Sequence, residues 1–191
     1  PTAATVDLKC LKEAVEFAKD NNIILCYDNA YSEITYDDYR APSILQIDGA
    51  MDVAIEFSSL SKTFNMTGDR IGFAVGNKTL VAGLTKVKSQ IDSGPPVYTQ
   101  RVAVKALASY KDAEAPEFLN KNNQILAERR DLLFNTLTKL GFKCEKPKAT
   151  FYMWVNIKGD SMAFAKKLLD VGVAATPGIG FGKNGEGFVR I

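Results

Sequence analysis

The chain contains no histidine. That absence removes the serine–histidine and cysteine–histidine pairs that most nucleophilic hydrolases use. It also leaves a zinc centre without its commonest nitrogen ligand, so no metal site is expected. Cysteine is scarce as well. Cys10, Cys26 and Cys144 are odd in number, widely scattered, and form no CxxC pair. Reduced, buried thiols are the state this predicts, as in a cytoplasmic protein. No apolar run approaches the ~20 residues that a membrane span needs, and the N-terminus has no signal-peptide pattern. Neither sign of charge dominates: the net charge is +2, from 24 basic and 22 acidic residues. Nothing electrostatic therefore points to nucleic acid or to an anionic membrane as partner. Any acid–base chemistry must come from lysine, aspartate, glutamate, tyrosine or a cofactor.

What is present suits a globular α/β protein. The 191 residues are 46% hydrophobic and 24% charged, enough for one large domain or two small ones. Thr5 is placed to cap a helix over 7–19, with Leu8, Leu11, Ala14, Val15 and Ala18 on one face. The run 23–27 is continuously apolar, as a strand covered on both faces would be. Residues 32–50 are polar and irregular. Strands over 53–57 and 71–75 follow, both read as buried, then helices over 79–91, 98–110 and 115–140, with Gly141 as a C-cap. The remainder reads as strands at 142–144, 151–157, 173–175 and 188–191 around a helix over 161–171 capped by Ser161. A division follows: 1–118 as one domain, and 119–191 as a long connecting helix with a small α+β domain. The start at Pro1 and the stop inside the apolar run at Ile191 predict a piece of a longer protein.

The chemistry concentrates between Ser58 and Gly72, where hydroxyls, Lys62 and Arg70 lie between two apolar runs. A lysine that starts near the interior is costly as an ammonium, and a neutral amine is a nucleophile able to form a Schiff base. Arg70 cannot be neutralised and needs an anion; serines beside an arginine suit a phosphate. Asp28 and Tyr31 close the 23–27 run, at the strand end where ligands bind in open α/β sheets. Two string matches carry nothing. Ser59-x-x-Lys62 lacks the companion motifs of the penicillin-recognising enzymes. Gly180-x-Gly182-x-x-Gly185 precedes a strand, so a plain turn is the better reading than a dinucleotide site.

Taken together, these residues resemble the fold-type I, class I/II pyridoxal-phosphate aminotransferases over essentially the whole chain. The pattern Ser-x-x-Lys, then glycine six and arginine eight residues after the lysine, is matched by Ser59, Lys62, Gly68 and Arg70. Asp-x-x-Tyr is matched by Asp28 and Tyr31, and a late arginine after a glycine-rich loop by Arg190. The resemblance implies the pyridoxal-phosphate-dependent transferase fold: part of a large-domain sheet with flanking helices, then a small α+β domain. It implies pyridoxal 5′-phosphate as cofactor, with Lys62 as the Schiff-base lysine and Asp28 on the pyridine nitrogen. Tyr31 would face the phenolic oxygen, Ser59, Ser61 and Arg70 the phosphate, and Arg190 the substrate α-carboxylate. Amino acids and 2-oxo acids would be the substrates, within a homodimer of chains roughly twice this length. The isolated 191 residues are then expected to be inactive. The phrasing around Lys62 is nearest the LL-diaminopimelate and aspartate branches. A β-lyase or synthase on the same fold, or a non-catalytic cofactor-binding sensor domain, are the alternatives.

Overall fold

Asp7, not Thr5, starts the first helix. In the computed structural model, which describes residues 2–112 and 114–191, α1 runs Leu8–Asp20. The Asp7 carboxylate accepts from the Cys10 N–H at 2.8 Å. A cap lies two or three residues before the amide it satisfies, and Thr5 is five residues before Cys10.

The chain divides into two units. The larger comprises Val6–Thr35 and Arg40–Lys121; the other takes segment 2–5, Tyr36–Tyr39 and Asn122–Ile191. In the larger unit β1 (Leu25–Asp28), β2 (Ala54–Ser59) and β3 (Gly72–Gly76) form a sheet in sequence order. β1 is parallel to β2, with Asp28 opposite Phe57, and β3 runs antiparallel to β2. Leu11 and Val15 on α1 lie four apart, so they share a face and bury against Ile44, Ala50 and Ala54. Leu25 and Tyr27 of β1 pack onto this cluster. Two expectations fail here. Ile23 and Ile24 precede the strand and are exposed, and Cys26, between the two inward residues, is exposed as well. In β3, at the sheet edge, Phe73 and Val75 are each 42% exposed. The apolar runs suggested strands covered twice; among the described residues only one face of β1 carries a core.

The irregular region holds a short α2 (Ala50–Val53), and the Ser/Lys stretch holds α3 (Leu60–Thr63) where a loop was expected. α4 (Lys78–Ile91) and α5 (Val97–Leu107) follow, and Ala103 of α5 packs on Leu60 and Met66. α6 (Glu117–Lys139) ends where Gly141 takes φ +84°, with the Phe142 N–H donating back to the Leu137 carbonyl at 3.0 Å.

The C-terminal unit is an antiparallel sheet in the order β4-β5-β7-β6. Its strands are β4 (Lys143–Cys144), β5 (Trp154–Asn156), β6 (Thr176–Pro177) and β7 (Phe188–Arg190). Met153, Val155 and Val189 bury against Leu137 of α6, and Phe164 of α7 (Ser161–Asp170) joins them. The strand expected over 173–175 begins three residues later, in register with β7 through Thr176 opposite Arg190. Ser161 is not the α7 cap. Asp160 accepts from the Ala163 N–H at 2.9 Å, while Ser161 is buried and bonds Glu186. The thiols also depart from expectation: all are free, but Cys10 and Cys26 are exposed and Cys144 is half-buried. No helix among the described residues is long and apolar enough to cross a membrane.

Candidate functional site

The parallel pairing of β1 with β2 brings two strand ends side by side. Asp28 ends β1 and Ser59 ends β2, and the Asn29 N–H donates to the Phe57 carbonyl at 2.9 Å. The Asp28 side chain is exposed, and its carboxylate has no hydrogen-bonded or ionic partner among the described residues. Ser59 is the N-cap of α3, its Oγ accepting from the Ser61 N–H at 3.1 Å. In so short a helix Leu60 and Thr63 share a face and both are buried, as is Ser61. Lys62 is turned away from that face and is half-buried, its Nζ 5.9 Å from the centre of the Tyr31 ring. The lysine is thus less enclosed than its position between two strands suggested.

Arg70 ends the turn that follows. Its backbone is left-handed at φ +51°, an arrangement that costs a non-glycine residue about 1 kcal/mol. The Arg70 guanidinium donates to the Thr67 carbonyl at 2.9 Å and is otherwise exposed. The Thr67 hydroxyl in turn donates to the Ser61 carbonyl at 3.0 Å, tying the turn to α3. The larger unit therefore carries Asp28, Tyr31, Ser59, Ser61, Lys62 and Arg70 on β1, β2 and the short segments that follow them.

Arg190 belongs to the C-terminal unit, at the end of β7. The glycine-rich stretch before it packs without side chains. A Cβ on Gly178 would lie 1.9 Å from the Gly185 carbonyl oxygen, so only glycine permits that approach. The Glu186 carboxylate accepts from both the N–H and the hydroxyl of Ser161, at 2.7 and 3.0 Å. The Ile179 N–H donates to the Ser161 hydroxyl at 3.2 Å, closing the loop onto α7. What the sequence showed as a plain turn is a fastened support for β7.

Three supporting groups were not anticipated. Glu56 lies within the apolar run of β2 and is 6% exposed. Its carboxylate accepts from the Asn29 amide at 2.9 Å, the Ser43 hydroxyl at 2.5 Å and the Ile44 N–H at 3.0 Å. The acid inside an apolar strand was the signal available. Tyr110 donates to Glu33 at 2.9 Å, and burial together with that carboxylate pushes its phenol well above the usual range. Arg130 is buried in the C-terminal unit. It forks onto Asp37 at 2.8 and 3.1 Å, donates to Asp131 at 2.7 Å and to the Pro147 carbonyl at 2.9 Å. Those bonds hold the Asp37 and Asp131 carboxyls below the usual carboxylate range. Neither spacing nor hydropathy marks a pair 93 residues apart in sequence.

The larger unit thus offers a carboxylate, a phenol, a primary amine, two hydroxyls and a guanidinium. That donor set fits a pyridoxal phosphate, which presents a basic ring nitrogen, a phenolic oxygen, an aldehyde and a phosphate dianion. No group of three or more acidic or thiol side chains placed to hold a metal ion occurs among the described residues.

Comparison with known proteins identifies the family. The family model described as aminotransferase class I and II matches residues 1–191. LL-diaminopimelate aminotransferase of Natranaerobius thermophilus is 47% identical over 194 residues, covering all of this chain and 49% of that protein. The enzyme of the same name from Moorella thermoacetica is 45% identical, with 48% of it covered. Among solved structures, substrate-bound BacF from Bacillus subtilis superposes with a TM-score of 0.90 at 37% identity, over all of this chain and 48% of that one. A probable N-succinyldiaminopimelate aminotransferase from Thermus thermophilus gives 0.92 at 35%, over all of this chain and 50% of that one. The chain spans about half the length of the curated relatives it matches.

Proposed function

Because the chain belongs to the class I and II aminotransferases, we propose that it is the lysine-bearing half of an enzyme that exchanges an amino group between an amino acid and a 2-oxo acid. Members of this family work with pyridoxal 5′-phosphate. The observation that carries the reading is the parallel register that sets Asp28 opposite Phe57, two residues before Ser59 and the short helix bearing Lys62, whose amine lies 5.9 Å from the centre of the Tyr31 ring.

When bound, the cofactor supplies an electron sink for the substrate α-carbon. The Asp28 carboxylate holds a proton on the pyridine nitrogen, and its lack of another partner leaves it available for that bond. Lys62 holds the aldehyde carbon at rest. Once displaced by the substrate, its amine would be free to take a proton from the substrate α-carbon and to deliver one to the former aldehyde carbon of the cofactor. The Tyr31 hydroxyl donates to the phenolic oxygen. Ser59, Ser61 and Arg70 hold the phosphate, with the arginine fork matching two phosphate oxygens. Arg190 takes the substrate α-carboxylate.

In this reading residues 1–118 belong to the large cofactor-binding domain, and 119–191 are the connecting helix and small domain. A diaminopimelate-type amino donor is supported by the 47% identity to the Natranaerobius enzyme. A cytoplasmic homodimer is supported by family membership alone.

The test is made in the full-length protein. Borohydride reduction followed by peptide mapping is expected to place the cofactor on Lys62, and Lys62→Ala to abolish both the label and transamination. A label on another lysine, or amino transfer that the substitution lowers by less than about tenfold, would overturn the assignment.

A further inference from the structure

Arg190 is held by rings. Its guanidinium carbon lies over the Tyr152 ring at 4.1 Å from the centroid and over the Phe181 ring at 4.6 Å. Among the described residues no carboxylate lies within ion-pair distance of it. The contrast with Arg130 is chemical. Arg130 is neutralised by Asp37 and by Asp131, and its N–H groups are spent on them and on a carbonyl. An aromatic face attracts a guanidinium through its quadrupole yet accepts no in-plane N–H bond. A cation held in this way keeps both its charge and its hydrogen-bonding edge.

The rings are themselves fixed. Trp154 meets Phe181 edge-on at 5.7 Å and stacks on Phe188 at 5.3 Å, and Trp154 is paired with Arg190 across β5 and β7. Next to Tyr152, Met153 and Ile191 exchange both backbone hydrogen bonds, at 2.8 and 3.0 Å. Tyr152 packs on Phe151 at 4.8 Å.

We propose that Tyr152 and Phe181 are positioning residues that hold the Arg190 fork oriented, with its charge unpaired, for carboxylate capture. The inference rests on the assignment of Arg190 to the substrate α-carboxylate. Both substrates of an amino exchange carry that carboxylate, so the rings serve both half-reactions alike. Their loss weakens capture of the amino acid and of the 2-oxo acid together, with little effect on the proton transfers at Lys62.

The full-length holoenzyme is assayed with LL-diaminopimelate and 2-oxoglutarate. At position 181, phenylalanines of increasing fluorination remove ring electron density while keeping the ring in place. Both KM values are expected to climb stepwise with fluorination while kcat stays within about twofold; Phe181→Leu and Tyr152→Leu should each raise both KM values by about 2- to 30-fold. Tyr152→Phe, which keeps the face, is expected to recover most of what Tyr152→Leu loses. Arg190→Lys is run in parallel. If it leaves both KM values unchanged, the carboxylate assignment itself fails. If it raises them while the fluorination series is flat, or lowers kcat alone, the assignment stands and the positioning role is overturned. A Tyr152→Phe variant as weak as Tyr152→Leu would assign the effect to the hydroxyl and likewise overturn the ring-face role.

Discussion

Replacing Glu56 by alanine removes a buried carboxylate that ties the end of β1, through Asn29, to Ser43 and Ile44. Three donors lose their acceptor at once: the Asn29 amide, the Ser43 hydroxyl and the Ile44 N–H. They are not equally damaged. The Asn29 amide keeps a second contact to the Pro42 carbonyl at 3.4 Å. The Ser43 hydroxyl is only part-buried and finds water. The Ile44 N–H sits on a residue 1% exposed and is orphaned, which costs about 1–3 kcal/mol. Adding the loss of charge-assisted bonds from the other two gives about 2–5 kcal/mol in all. Glu56→Gln keeps one oxygen for Ser43 and Ile44, and a turned Asn29 side chain can accept from the new amide. That variant should lose about 1–2 kcal/mol. The assay is the urea midpoint of the full-length protein, converted through the slope, with a titration of pyridoxal phosphate alongside. Because Asn29 directly follows Asp28, Glu56→Ala should also weaken cofactor affinity. A loss under about 0.5 kcal/mol for Glu56→Ala, the range of an ordinary surface change, would refute the bracing role.

Other outcomes follow from the same geometry. Lys62→Ala in the full-length protein should lower kcat by at least about 10²-fold, the least that loss of a positioned proton carrier costs, as read by steady-state transamination. Arg130→Ala should lower the unfolding free energy by about 1–4 kcal/mol, through the orphaned Pro147 carbonyl and the lost contact with the Tyr36 ring at 4.6 Å; thermal unfolding checks it. In pH scans the carboxyls of Asp37 and Asp131, lowered in the fold, contribute stability above the usual carboxylate pKa. That contribution is lost as pH falls through their folded values. Burial raises the Tyr36 phenol from 10.0 to about 12, so its contribution is whole below pH 10 and fades as pH rises towards 12. Arg130→Ala should flatten the acid limb, and unchanged acid sensitivity would count against the cluster. Titrating the 191-residue chain with pyridoxal phosphate should give no turnover, since it covers about half of its relatives; measurable amino exchange would refute that.

The sequence legibly carried the order of helices and strands because hydrophobic period and turn residues act locally. The 3.6-residue spacing of Leu11, Val15 and Ala18 needs no partner to be seen, and Gly141 ends α6 by its own backbone freedom. Caps were less legible. Thr5 and Asp7, or Asp160 and Ser161, are all able to accept a bond, and only the path of the chain decides which does. Burial was the least legible property. The apolar runs at 23–27 and 71–75 describe what the strands can bury, whereas Ile24 and Phe73 show what this chain covers.

For the site the division is sharper. The sequence by itself determined the chemical inventory: a lysine framed by serines, Arg70 eight residues on, Asp28 with Tyr31, and a late Arg190. Reactive groups are identities, and identities are written in order along the chain. Only the tertiary structure decided that the parallel register of β1 on β2 sets Asp28 opposite Phe57, two residues before Ser59. It also decided that Lys62 leans towards Tyr31, that Glu56 ties Asn29 at the end of β1 to Ser43 and Ile44, and that rings rather than acids hold Arg190. Those facts are distances between segments remote in sequence, fixed by sheet register and packing.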